Sequence, residues 1–357
     1  MQQFIAKIGK GAKTCKDLTW EEAKQAMACL IEGRATPVQV GGFLIGMRMK
    51  GESVAELAAF TATARSYVSP LRVADTAHLV DVACYAGKHD TFSAIAGATL
   101  LASAAGATVL VHGWEGIPER PGIWSTFAHL GIAVDHPPAV VEKELAASRF
   151  AYLDMATYHP PVARLLSLRH ELGVRNFVHP VARMLNPSRA PVQVVGMTHP
   201  PYFEKIVEAL GMLGSPRALI IRGVEGEPEL SIGGPSRLTE WRGDRPISLN
   251  IHPKDAGLDV GTSRDMAGFS AAEKHKEAAL LSRILRGEVK GAAHDWVTLN
   301  AGMLLYAAKV SSSIPAGVDL AQRTIDSGGA TRLLETVGQA GAARPSGSME
   351  KKDGGAS

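Results

Sequence analysis

The stretch from His78 to Ala105 constrains this chain most. His78-Leu79-Val80 is an apolar approach, Asp81 to Ser93 holds a polar, glycine-containing turn, and Ala94 to Ala105 is a run of small residues. The order predicts a short buried strand, a loop and then a helix. Such an arrangement aims free backbone N–H groups and the positive end of a helix dipole at one spot, which suits an anion. Gly87, Lys88, His89, Asp90 and Thr91 are therefore candidates for holding phosphate, with Asp90 or Thr91 also able to cap the helix. The same residues fit an ordinary strand-to-helix turn whose polar groups only cap. The loop alone does not choose between the two.

The rest of the chain divides by rhythm. Thr19 with Glu22 and Ser53 with Glu56 have capping-box spacing, and Thr36-Pro37 puts proline at a first helical position. Residues 1–70 thus read as a small helical unit. Gly41, Gly42 and Gly46 inside one of its helices imply close packing against a neighbour. From His78 onward strands and helices alternate. Strands are expected at 107–112, 150–153, 192–195 and 218–221, and helices at 123–130, 162–172 and 202–213. Longer helices are expected at 271–286, 293–310 and 316–327. This predicts an α/β core with a mainly parallel sheet. The tail from Gly338 is rich in Gly, Ala and Ser and is expected to be disordered.

Composition narrows the function classes. A chain of 357 residues with 20% charged residues and a net charge of +3 is no global polycation. Cys15, Cys29 and Cys84 have no metal-like spacing and suit a reducing compartment, so the expected location is the cytoplasm. No apolar run is long enough to span a bilayer. Lys7, Lys10 and Lys13 make the start basic, which fits either a solvated helix end or an arm that touches phosphates.

An ordered series of motifs allows a family to be named. It runs Asp81 to Ser93, His112-Gly113, Tyr158-His159-Pro160, Gly173-Val174-Arg175-Asn176, Leu185-Asn186-Pro187, Glu229-Leu230-Ser231 and Gly234-Pro235-Ser236-Arg237. His294 to Ala301 and Ile325 to Gly328 extend it. The series resembles anthranilate phosphoribosyltransferase and its relatives in glycosyltransferase family 3, over roughly residues 3 to 337. The resemblance implies a nucleoside phosphorylase/phosphoribosyltransferase class II-like fold. Residues 1–70, completed by 162–187, would form the helical domain. Residues 71–161 and 188–337 would form the α/β domain, with the site at the hinge. It also implies a homodimer and phosphoribosyl pyrophosphate gripped with magnesium. An amine then displaces pyrophosphate from a cation-like sugar, a reaction helped mostly by positioning and charge neutralisation.

Several positions depart from the family pattern. Its Gly-Thr-Gly-Gly-Asp donor loop reads Cys84-Tyr85-Ala86-Gly87-Lys88 here, so a base replaces the acid. Its Lys-His-Gly-Asn reads Val111-His112-Gly113-Trp114, with Arg120 in the position of a later lysine. Its metal acids, Asp-Glu, read Pro228-Glu229, with Glu225 and Glu227 nearby. The resemblance therefore leaves Glu229 and Glu227 as candidate magnesium ligands. On the acceptor side it leaves His112, Gly113, His159 and Arg175. Other segments, including Val109 to Gly113, Gly173 to Asn176 with His179, and Gly223 to Glu227, are similar to the diverged YbiB-type branch. That branch is associated with binding single-stranded DNA and RNA. In this reading Lys7, Lys10, Lys13, Arg164, Arg169 and Arg183 would meet a nucleic-acid backbone. Two expectations follow: a phosphoribosyl-type transferase with an altered donor loop and an unidentified acceptor, or a non-enzymatic nucleic-acid binder on the same fold. The retained acceptor-side residues favour the first. A complete anthranilate enzyme fits least, because its donor loop is broken.

Overall fold

The computed structural model describes residues 1–11, 14–85, 88, 91–116, 122–262, 269–270 and 273–342. Four helices come first: α1 (Gln2–Ile8), α2 (Trp20–Ile31), α3 (Pro37–Lys50) and α4 (Val54–Ser66). Thr19, Thr36 and Ser53 each accept the N–H of the residue three further on, and Glu22, Gln39 and Glu56 return the bond to the cap's own N–H. Of the three glycines in α3, Gly46 makes the close approach. A Cβ there would lie 3.2 Å from the Ile8 side chain, so α1 rests on the space a side chain would fill.

The strand–helix part follows as β1 (Leu79–Tyr85), α5 (Ala94–Ala104), β2 (Thr108–Trp114), α6 (Ile123–His129), α7 (Pro138–Ser148) and β3 (Phe150–Asp154). The chain then forms α8 (Met155–Tyr158), α9 (Pro160–Ser167), α10 (Arg169–Leu172) and α11 (Val178–Arg183). Next come β4 (Val192–Gly196), α12 (Tyr202–Met212), β5 (Arg217–Arg222), β6 (Ser236–Trp241) and β7 (Pro246–Ile251). It closes with α13 (Lys274–Leu285), α14 (Ala292–Ala307), α15 (Ile314–Asp326) and α16 (Gly329–Ala342). None of the described helices is long and apolar enough to cross a membrane.

The seven strands lie in the order β3-β2-β1-β4-β5-β6-β7. The five from β3 to β5 are parallel and the last two run antiparallel. The expected helical part followed by a mainly parallel α/β part is what forms. The parallel strands are apolar almost throughout because helices cover both faces. From β1 the chain steps outward to β2 and β3, then returns to the other side of β1 as β4. That reversal opens a crevice at the carboxyl ends of β1 and β4, where ligands of open α/β sheets bind.

Residues 160–183 return to the helical part. Phe177 stacks on Phe60 with ring centroids 4.3 Å apart and meets Phe43 edge-on at 5.9 Å. The helix expected over 162–172 breaks at Leu168 into α9 and α10. There the Ser167 hydroxyl donates to the Arg164 carbonyl, a local bond that competes with the helical ladder. The β6–β7 hairpin was not expected. At the other end α16 runs through Gly338 to Ala342, and residues 343–357 lie outside the described residues.

Candidate functional site

The carboxyl end of β1 leads into Lys88, which is 3% exposed. Its ammonium donates to the Phe92 carbonyl at 2.8 Å, forms an ion pair with Glu229, and lies 4.0 Å from the Trp296 ring centroid. Glu229 is fully buried and reaches the amino end of α5, accepting Ile95 N–H at 2.9 Å and Ala94 N–H at 3.3 Å. Burial pushes the Glu229 carboxyl up, while the Lys88 ammonium and the Ile95 N–H pull it down. The segment carrying Glu229 is fastened by α14. The Asn300 side chain accepts Leu230 N–H and donates to its carbonyl, both at 2.9 Å, and Trp296 Nε1–H donates to the same carbonyl at 2.6 Å. It also presses on β4: a Cβ on Gly196 would lie 2.0 Å from the Pro228 oxygen. A cavity of about 30 Å³ remains in the crevice, bounded by Lys88, Ser93, Arg183 and Glu229 among others. The Thr91 hydroxyl is buried without a partner among the described residues. Gly87, His89, Asp90 and Arg120 lie outside the described residues.

Three acceptor-side candidates sit in packed interior. His112 is fully buried, with Nε2 3.0 Å from Asp81 Oδ1 and Nδ1 2.6 Å from the Tyr85 hydroxyl. A neutral ring donating from Nε2 and accepting at Nδ1 satisfies both bonds. The Tyr158 hydroxyl joins at 2.8 Å from that of Tyr85. Gly113 lets β1 and β3 close in, since a Cβ would lie 2.5 Å from the Cys84 oxygen and 2.7 Å from the Tyr152 hydroxyl. His159 donates from Nε2 to the Ala64 carbonyl at 3.0 Å, and burial pushes its pKa down. It ties the start of α9 to α4.

Arg175 instead lines a cavity of about 250 Å³ between the helical part and the α/β part. Arg48 reaches it from α3, Asn176, His179 and Arg183 from the segment through α11, and His199 and Tyr202 from the start of α12. Among the described residues its lining holds no carboxylate. Arg183 is 6% exposed; its Nη2 donates to the Tyr85 carbonyl at 2.6 Å, but its Nε has no partner among the described residues. His179 Nε2 and Asn176 Nδ2 are likewise buried and unpartnered. Burial, with Arg183 and Arg175 beside it, pushes His179 down to about 3, so its ring is neutral at pH 7. The neutral His179 ring turns Nδ1–H to the Asn176 carbonyl and leaves Nε2 an acceptor, so the unspent donors are Arg183 Nε and Asn176 Nδ2; with no carboxylate in the described lining they suit an acidic group.

The remaining basic candidates are scattered in environment. Lys7 is ion-paired to Glu22, Lys10 and Arg164 are exposed, Arg169 is half-buried, and Lys13 lies outside the described residues. The sequence reading missed Arg48, His199 and Tyr202, which carry no motif. It also missed the coupling of Lys88 to Glu229, whose only signal was the change of sign at position 88.

The helical part, residues 2–68, matches the family model "Glycosyl transferase family, helical bundle domain", and residues 76–331 match "Glycosyl transferase family, a/b domain". The chain belongs to this glycosyl transferase family. It is 34% identical over 321 residues to an anthranilate phosphoribosyltransferase of Methylibium petroleiphilum, covering 90% of this chain and 92% of that protein. The crystal structure of anthranilate phosphoribosyltransferase from Thermus thermophilus superposes with a TM-score of 0.83 at 32% identity, covering 94% of this chain and 100% of that one. The Saccharomyces cerevisiae enzyme in complex with PRPP and Mg shares the fold, with a TM-score of 0.82 at 18% identity over 96% of this chain and 98% of that one.

The magnesium that this family resemblance implies does not find a ready donor set here. Among the described residues no group of three or more His, Cys, Asp or Glu side chains could hold a metal ion. Glu229 is spent on Lys88 and on α5, and Glu225 Oε1 accepts the Ser231 hydroxyl at 2.6 Å. Glu227 is near enough to Glu229 to push its carboxyl up.

Proposed function

We propose that this chain is a phosphoribosyltransferase-type protein that takes a small acidic acceptor in the arginine cleft, with a donor grip unlike the family's. The observation that supports this is the pair of buried, unpartnered donors on Asn176 and Arg183, beside Arg48 and Arg175. In this reading Arg175 and Arg183 hold the acceptor's acid group. The chain's own contribution is then positioning, which supplies much of the rate in such displacements. A C–N bond forms at the anomeric carbon as the C–O bond to pyrophosphate breaks. We further propose a cytoplasmic homodimer, with three unbridged cysteines and an exposed apolar face on α3 as support. Pyrophosphate release from phosphoribosyl pyrophosphate, followed across a panel of carboxylated amines with magnesium and with EDTA, is the test. Turnover with at least one amine, abolished by Arg175→Ala, is the expected outcome; no release with any amine removes the reading.

A second reading, single-stranded DNA or RNA binding without catalysis, is favoured by the filled donor crevice together with exposed Arg164 and Lys10. It predicts that log affinity for a short oligonucleotide falls linearly with log salt, with little sequence preference. Charge reversal at Arg164 or Arg169 should reduce that slope by about one unit each. Salt-insensitive or undetectable binding would eliminate it.

A further inference from the structure

We infer that Lys88 and Glu229 are a built-in cation and anion occupying the place of a donor phosphate and its metal, so that phosphate binding there needs no divalent ion and begins when Glu229 withdraws. The inference rests on reading the β1/β4 crevice as the donor side.

Three observations lead to it. First, the α5 amino end, which would meet a ligand's oxygen, is already given to an internal carboxylate through Ala94 and Ile95. Second, the acid that touches that point is paired with an ammonium that is itself 3% exposed. A divalent cation approaching Glu229 would meet Lys88 at ion-pair range, and like charges so close in a buried site strongly disfavour one another. Third, the same small cavity is bounded by Arg183, which is 6% exposed and has an unpartnered Nε. Two basic side chains face one carboxylate there, so a donor is left unspent for a further anion.

The cavity, at about 30 Å³, is on the order of one water molecule's share of the liquid, too small for a phosphate beside Glu229. Opening must therefore move the Glu229 side chain. Its main chain is held next door, where Asn300 bonds both the N–H and the carbonyl of Leu230. Rotation of the side chain off α5 is the motion available. An incoming phosphate would then inherit the Ile95 N–H, the Lys88 ammonium and Arg183.

Isothermal titration of the full chain with inorganic pyrophosphate, in EDTA and in excess magnesium, tests this without any turnover. Wild-type affinity should be no tighter in excess magnesium than in EDTA, since magnesium complexes pyrophosphate in solution, whereas metal-mediated binding would be tighter with magnesium by about tenfold or more. Glu229→Gln keeps the shape but removes the competing charge, and should tighten pyrophosphate binding by about tenfold. Lys88→Met should abolish it. If Glu229→Gln does not fold, Glu229→Asp serves: its shorter side chain keeps the counter-charge but gives up the Ile95 N–H, and should also tighten binding. A roughly tenfold gain from magnesium in the wild type overturns the inference, as does a Glu229 variant no tighter than wild type, or no binding in any variant. Absence of turnover with amines would remove the transferase reading but leave this result standing; magnesium-dependent binding would overturn this inference even if turnover were found.

Discussion

Single buried side chains set the pH behaviour of this protein. His179 has its pKa pushed down from 6.5 to about 3 by burial and by Arg183 and Arg175. Between those values the unfolded chain takes up a proton that the folded chain refuses, so stability is lost as the pH falls through that window. The slope from this one group is about 1.4 kcal/mol per pH unit. Glu115 and Asp154 act with the opposite sign. Burial raises them to about 7 and about 6, so the folded chain keeps protons that the unfolded chain releases, and stability is lost as the pH rises from 4.5 to 7 and from 3.8 to 6 respectively. His179→Gln should therefore flatten the acid limb of a melting-temperature profile, and Glu115→Gln the limb approaching neutrality. Parallel profiles for wild type and His179→Gln below about pH 6 would contradict the assignment.

At the scale of elements, similar caps carry very different weight. The Thr36–Gln39 box at the start of α3 is exposed, whereas Glu56 of the Ser53 box is fully buried. Besides the Ser53 N–H, Glu56 accepts Leu18 N–H at 2.8 Å and the Lys50 ammonium at 2.7 Å, so it binds α4 to α3 and to the start of α2. Removing it strands a lysine whose side chain is 4% exposed, leaving Asp17 as its one acidic partner among the described residues. Thr36→Ala should cost about 1 kcal/mol in a urea titration. Glu56→Ala should cost more, about 3 kcal/mol, because it takes one of two acidic partners from Lys50 and the acceptor from the Leu18 and Ser53 N–H groups. Equal losses would mean that the Glu56 network adds nothing beyond an ordinary cap.

At the scale of the whole molecule, α3 turns apolar residues outward. Val38 is 85% exposed, Ile45 37% and Met49 81%, and their spacing puts them on one helical face. Neighbouring apolar side chains left in water at helical spacing mark a surface that another chain covers. The proposed homodimer should bury this face. Light scattering on the eluting protein should give twice the chain mass for wild type, and the chain mass alone for a variant carrying both Val38→Asp and Met49→Asp. A monomeric wild type would exclude the homodimer.

What depends on short range was readable from the residues alone. The caps at Thr19 and Ser53, the small-residue helix after β1 and the switch to strand–helix alternation at His78 are local patterns, and each formed where the pattern lay. The order of motifs was enough to name the family. The β6–β7 hairpin was missed, although Gly243-Asp244 between two β-rich runs carries a turn signal. The site, by contrast, came from long-range packing. Lys88 meets Glu229 across 141 positions because β4 returns beside β1 and the loop after β5 folds over their ends. Arg48 shares a cleft with Arg183 because α11 packs back onto the helical part. Neither pairing follows from the residues near it in sequence. Whether a lysine offers its charge to a ligand or spends it on a buried carboxylate depends on which distant segment the fold brings within ion-pair range.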